Sequence, residues 1–126
     1  YEEMSNVVRM KQRYEYLPSE LAAPLLAHEL EHRRWRWISG SFLGEVHAHQ
    51  TQARVWKQIR ANLDMSMISS RHMWAVRIND ELLSAAEGGN RSLLNYLMER
   101  GSYRHLPAFG SDVSKGYLKY GIRVNP

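Results

Sequence analysis

The chain has 126 residues, no cysteine, 44% hydrophobic and 24% charged residues, and a net charge of +4. That length and balance suit a single globular domain over residues 1–126 and exclude a largely disordered chain, a disulfide framework and a thiolate metal site. The longest apolar run, Leu21 to Ala27, is too short to span a membrane, and the small positive excess is a weak pull toward anionic partners.

Tyr at position 1 points to a trimmed chain or a processed product. Val7 to Tyr16 reads as a polar, basic edge strand or a short helix, with Lys11, Gln12 and Arg13 suited to a solvated edge. Leu21 to Ile38 reads as a central helix, with Ser19 as its N-cap and Pro24 in its first turn. Ser39, Gly40 and Ser41 stop it. A second helix is predicted from Phe42 or Gly44 to Leu63, with Ala48, Gln52, Trp56, Ile59 and Leu63 on one stripe opened by Glu45. A third covers Ser70 to Ala86, with Trp74, Ile78, Leu82 and Ala85 or Ala86 inward, and Gly88-Gly89 end it. A fourth runs from Arg91 to Glu99 through Leu93, Leu94, Leu97 and Met98. Ser102 to Pro126 reads as loops, with a short strand at Tyr117 to Val124.

The motif that carries chemistry is His28-Glu29-Leu30-Glu31-His32, an HExxH. Residues four apart share one face of a helix, so both imidazoles can meet one small cation. Neutral imidazole suits Zn²⁺. Glu29, the residue after the first His, flanks the position where an attacking water would sit and is the candidate general base. The apolar residues around the motif imply burial, and two buried His and a Glu without a partner would be costly.

A catalytic zinc needs a third protein ligand. The metzincin spacing requires Gly at 35 and His at 38, where this chain has Trp35 and Ile38. Glu45 is the leading candidate, because two helices joined by a short connection pack antiparallel and return the start of the second to the end of the first. His47 and His49 are the other candidates, followed by Asp64.

Leu26 to His32, followed by Glu45-Val46-His47-Ala48, resembles the gluzincin pattern, HExxH then ExxA, of zinc metallopeptidases. The resemblance covers about Ala22 to Trp56. It implies a zinc ion on His28, His32 and Glu45, with Glu29 as general base and a protein or peptide substrate. Ala48 matches the small residue that lets the glutamate helix approach the active-site helix. The implied fold is α+β and predominantly helical: a compact zincin-like domain, with Val7 to Tyr16 as its minimal N-terminal strand region. A proton donor opposite the metal is implied too, with Tyr103, His105, His72, Tyr117 and Tyr120 as candidates. Arg33-Arg34-Trp35-Arg36-Trp37 interleaves basic and aromatic residues, a pattern of nucleic-acid surfaces. It supports an alternative in which a basic, Trp-rich module binds nucleic acid or an acidic protein and any metal is non-catalytic.

Overall fold

In a computed structural model, which describes residues 14–35 and 41–99, four α-helices follow one another. They are α1 (Ser19–Arg34), α2 (Phe42–Asn62), α3 (Met73–Glu87) and α4 (Asn90–Glu99). Two short 3₁₀ turns, Met65–Met67 and Ser70–His72, connect α2 to α3. The described residues contain no strand, which corrects the expected α+β, zincin-like architecture. Of the strand expected over Val7 to Tyr16, the described residues Tyr14 to Tyr16 form a turn, closed by Leu17 N–H donating to the Tyr14 carbonyl. Tyr14 stacks on Trp74 instead of pairing along a sheet edge. The strand expected at Tyr117 to Val124 lies outside the described residues. No described helix is long and apolar enough to cross a membrane.

Local chemistry explains where the helices begin and end. Ser41 caps α2, its hydroxyl accepting from Gly44 N–H at 3.0 Å, which satisfies one of the unpaired donors of the first turn. α1 starts earlier than its apolar pattern suggests, directly after Pro18, and Ser19 lies inside the helix rather than capping it. Pro24 therefore sits in the second turn, fully buried, and forgoes one helical hydrogen bond. Trp37 and Ile38, expected to extend this helix, lie outside the described residues. α3 and α4 meet at Gly88-Gly89, where Gly89 has φ of 97°, a conformation that side chains disfavour.

Packing proceeds in chain order. α1 and α2 run antiparallel: His32 meets Glu45, His28 meets Gln52, and Leu21 shares a core with Trp56. One apolar cluster joins Phe42, Val46, Ala53, Leu82, Leu93 and Leu97, and a second joins Leu21, Trp56, Ala75 and Val76. Trp56 is fully buried and its indole N–H donates to Asp80 at 2.8 Å. The α2 stripe agrees with the sequence pattern, with Ala48, Gln52 and Trp56 buried. The inward face of α3 agrees at Leu82 but not elsewhere: Ala75, Val76 and Asn79 are buried with it, while Trp74 and Ile78 are half-buried. The pattern placed the stripe one residue away because Asn79, fully buried, contributes no apolar signal. α1 is also less enclosed than its composition implies, with Leu26 and Leu30 exposed at 42% and 46%.

Gly89→Ala is expected to destabilise the chain by about 1–2 kcal/mol, the cost of a side chain at positive φ. Urea unfolding followed by circular dichroism checks this, and an unchanged midpoint would mean the turn does not require glycine.

Candidate metal centre

The antiparallel α1–α2 pair brings the end of α1 against the start of α2, and four titratable side chains meet there. His28 and His32, one turn apart on α1, turn their Nε2 atoms toward each other at 3.2 Å. From α2, a Glu45 carboxylate oxygen lies 3.1 Å from His32 Nε2, and its other oxygen lies 3.5 Å from His28 Nε2. His49, one turn further along α2, donates from Nδ1 to the Glu45 carbonyl at 2.7 Å, and the same nitrogen lies 3.5 Å from the carboxylate. Its ring stands edge-on to His28, with centroids 4.4 Å apart. One ligand atom from each of His28, Glu45 and His49 falls within 4.8 Å of the others.

These separations have a chemical meaning. Ligands about 2.0–2.1 Å from a tetrahedral ion are roughly 3.3 Å from one another. The His28–His32 Nε2 separation of 3.2 Å and the 3.1 Å from His32 Nε2 to one Glu45 oxygen lie close to that value, and the other carboxylate oxygen is 3.5 Å from His28 Nε2. Two imidazole nitrogens that close, beside a carboxylate, need either a hydrogen on one of them, shared as an N–H hydrogen bond, or a cation among them. The cluster is also largely dry: His32 and His49 are 7% and 8% exposed. Among the described residues, Glu45 Oε2 and His32 Nδ1 are buried without a hydrogen-bond partner. An orphaned carboxylate oxygen facing two imidazoles suits a cation, so the donor set fits a metal ion.

Electrostatics match the geometry. Burial raises the Glu45 carboxyl, but hydrogen bonds and charge from His28 and His32 outweigh it and hold the group far below the usual carboxylate range. Burial and the neighbouring His28 push His49 down to about 3, against the weaker opposite pull of Glu45. Glu45 is thus an anion and His49 a neutral imidazole at physiological pH, the forms in which both ligate metals.

A second tier holds the first. His28 Nδ1 lies 3.0 Å from Gln52 Oε1, and Gln52 Nε2 donates to Asn79 Oδ1 at 2.9 Å. At the connected end of the helix pair, the Trp35 indole donates to buried Glu31 at 2.6 Å and stacks on His47 with ring centroids 5.4 Å apart. That stack clamps the end of α1 to the start of α2 beside His32 and Glu45.

The sequence-predicted residues divide accordingly. His28, His32 and Glu45 come together as expected, and His49, a lower-ranked candidate, joins them. His47 packs on Trp35. Asp64 is exposed and caps a 3₁₀ turn through Ser66. Glu29 is half-buried on α1 beside His28. His72 immediately precedes α3, about two turns before Asn79, while Tyr103, His105, Tyr117 and Tyr120 lie outside the described residues. In the basic aromatic run, Arg33 and Arg34 are exposed, but Trp35 is engaged with Glu31 and His47. Asn79 went unrecognised from sequence; a polar residue interrupting an inward stripe was its one signal. Comparison with protein families, curated proteins and solved structures finds no match for this chain.

The pH dependence follows from two depressed pKa values. His49 and Glu45 have ordinary values of 6.5 and 4.5, and both are lower in the folded chain. The unfolded chain therefore binds more protons as pH falls, and stability drops with it. Loss through His49 begins below about 6.5 and continues toward 3, and loss through Glu45 begins below about 4.5. In chelator-treated protein the urea midpoint should fall from pH 7 to pH 5, and His49→Gln should flatten that interval. A midpoint constant from pH 7 to pH 5 would show that His49 is not held neutral by burial.

Proposed function

We propose that this chain is a zinc-dependent hydrolase that cleaves peptide bonds, using His28, His32 and Glu45 to hold the ion and Glu29 as general base. The observation that carries this reading is the convergence of both HExxH imidazoles and a carboxylate from a second helix at 3.1–3.5 Å. The choice of zinc and of a peptide substrate follows the resemblance of the HExxH and ExxA residues to gluzincins and the preference of a nitrogen-rich donor set for that ion. When bound, zinc supplies a Lewis acid that polarises a carbonyl oxygen and makes water a stronger acid.

The chain's own residues do the rest. Glu45, held as an anion, offsets the charge of the ion while the two imidazoles remain neutral donors. Glu29 is displaced around α1 from the ligand face and is not counted among the ligands. Its carboxylate takes the proton from water as the water oxygen bonds to the peptide carbonyl carbon. It then returns a proton to the amine nitrogen as the C–N bond breaks.

His49 favours a second reading. It is a fourth buried donor side chain beside His28 and Glu45. If His49 ligates as well, the coordination set is closed and the ion is structural.

Metal analysis after zinc supplementation separates these readings. The wild type should carry about one zinc per chain, Glu45→Ala should lose it, and Glu29→Gln should keep it. On a mixture of unstructured peptides, Glu29→Gln should cut hydrolysis by about 10²–10⁴-fold. Zinc retained without any hydrolysis favours the closed site, and a wild type that takes up no zinc rejects both.

A further inference from the structure

A buried polar chain crosses three helices and ends on His28. It begins at the Ala75 backbone carbonyl in α3, a group that only accepts hydrogen bonds. Asn79 Nδ2 donates to that carbonyl at 2.9 Å. The Asn79 amide is thereby oriented, and its Oδ1 faces α2, where it accepts from Gln52 Nε2 at 2.9 Å. The Gln52 amide is oriented in turn, and its Oε1 faces α1, 3.0 Å from His28 Nδ1. An oxygen acceptor at that distance requires the proton to be on Nδ1. The lone pair of the neutral ring then lies on Nε2, the atom facing His32 and Glu45. Each link fixes the next, and the direction is set by a carbonyl that has no hydrogen to give.

From this geometry we propose that Gln52 and Asn79 are positioning residues that lock His28 in its Nδ1–H tautomer and keep its Nε2 ready to ligate a metal ion. The consequence for metal binding rests on the zinc reading above; the tautomer itself does not. Asn79 is fully buried and Gln52 is 4% exposed, so water has little access to substitute for either link. The pair also lies beside residues of both apolar clusters: Gln52 is next to Ala53 and one turn before Trp56 on α2, and Asn79 falls between Val76 and Leu82 on α3. Replacing both members of such a pair with apolar groups of similar shape is often neutral or stabilising. A purely structural role therefore does not account for two buried amides here, whereas orienting a ligand does. His32 has no counterpart among the described residues, since its Nδ1 is buried without a partner.

The test uses the full chain, stripped of metal and labelled with ¹⁵N, at pH 8. Long-range ¹H–¹⁵N spectra should show His28 protonated on Nδ1 alone. The double variant Gln52→Met/Asn79→Leu should keep its helical circular dichroism and melting temperature. In that variant His28 should become a tautomer mixture and bind zinc about 10–100-fold more weakly, measured against a chromophoric chelator. If the double variant loses its helical signal, Gln52→Met alone reads the same tautomer with one buried amide left in place. The proposal is overturned if wild-type His28 carries its proton on Nε2, or if the folded apolar variants keep both tautomer and affinity. A wild type that binds no zinc but shows the Nδ1–H form, lost in the apolar variants, supports the relay and rejects the zinc reading alone.

Discussion

Two imidazole nitrogens 3.2 Å apart, with a buried carboxylate against both, form an arrangement that demands either a shared N–H hydrogen or a cation at its centre. Much of the surrounding structure meets that demand. α1 and α2 must be antiparallel for residues 28, 32, 45 and 49 to share one level. They must also be close, and the start of α2 carries two small buried residues, Gly44 and Ala48. The Trp35–His47 stack fixes the connected end of the pair. The third helix contributes no candidate ligand, yet through Asn79 it determines how Gln52 is turned, and through Gln52 how His28 is turned.

The arrangement divides the interior by chemistry. On either side lie ordinary apolar clusters, anchored by Phe42 and Leu97 in one and by Leu21 and Trp56 in the other. Between them lies a polar seam that leads to the histidines. Polar groups so placed cost little when every donor and acceptor is matched and a great deal when one is not. Gln52 and Asn79 are matched through both of their amides. Glu45 Oε2 and His32 Nδ1 are not, among the described residues, and the imbalance is concentrated where the ligand atoms converge.

The helices of α2 and α4 were legible in sequence because their apolar residues recur at helical spacing and Ser41 and Gly89 mark their boundaries. The ligands were legible for a different reason: HExxH is a spacing argument within one helix, and Glu45 follows from a short connection. Less legible was whatever depended on contacts distant in sequence. The inward face of α3 is set by Asn79, whose burial makes sense only once Gln52 is opposite it, 27 positions earlier. His49 ranked low because its burial depends on the same α1–α2 approach that it helps to build. Of the segment Val7 to Tyr16, read as an edge strand or a short helix, only Tyr14 to Tyr16 are described, and that end turns and packs Tyr14 on Trp74. The α+β expectation came from a resemblance confined to the ligand residues, and a ligand pattern constrains two helices, not the fold around them.

The last two turns of α1 are built inside out. Glu31 and His32 are buried there, at 9% and 7% exposure, while Leu26 and Leu30 face outward among the described residues. The first half of the helix is anchored by Leu21 and Pro24 in the usual apolar way. Its second half has no such anchor and is attached through hydrogen bonds and ionic contacts. A helix attached in that manner gains little from the hydrophobic effect, so its docking does not weaken on cooling as that of an apolar helix does. The same end carries the histidines, so their hold depends on charge and hydrogen bonding rather than on buried apolar area.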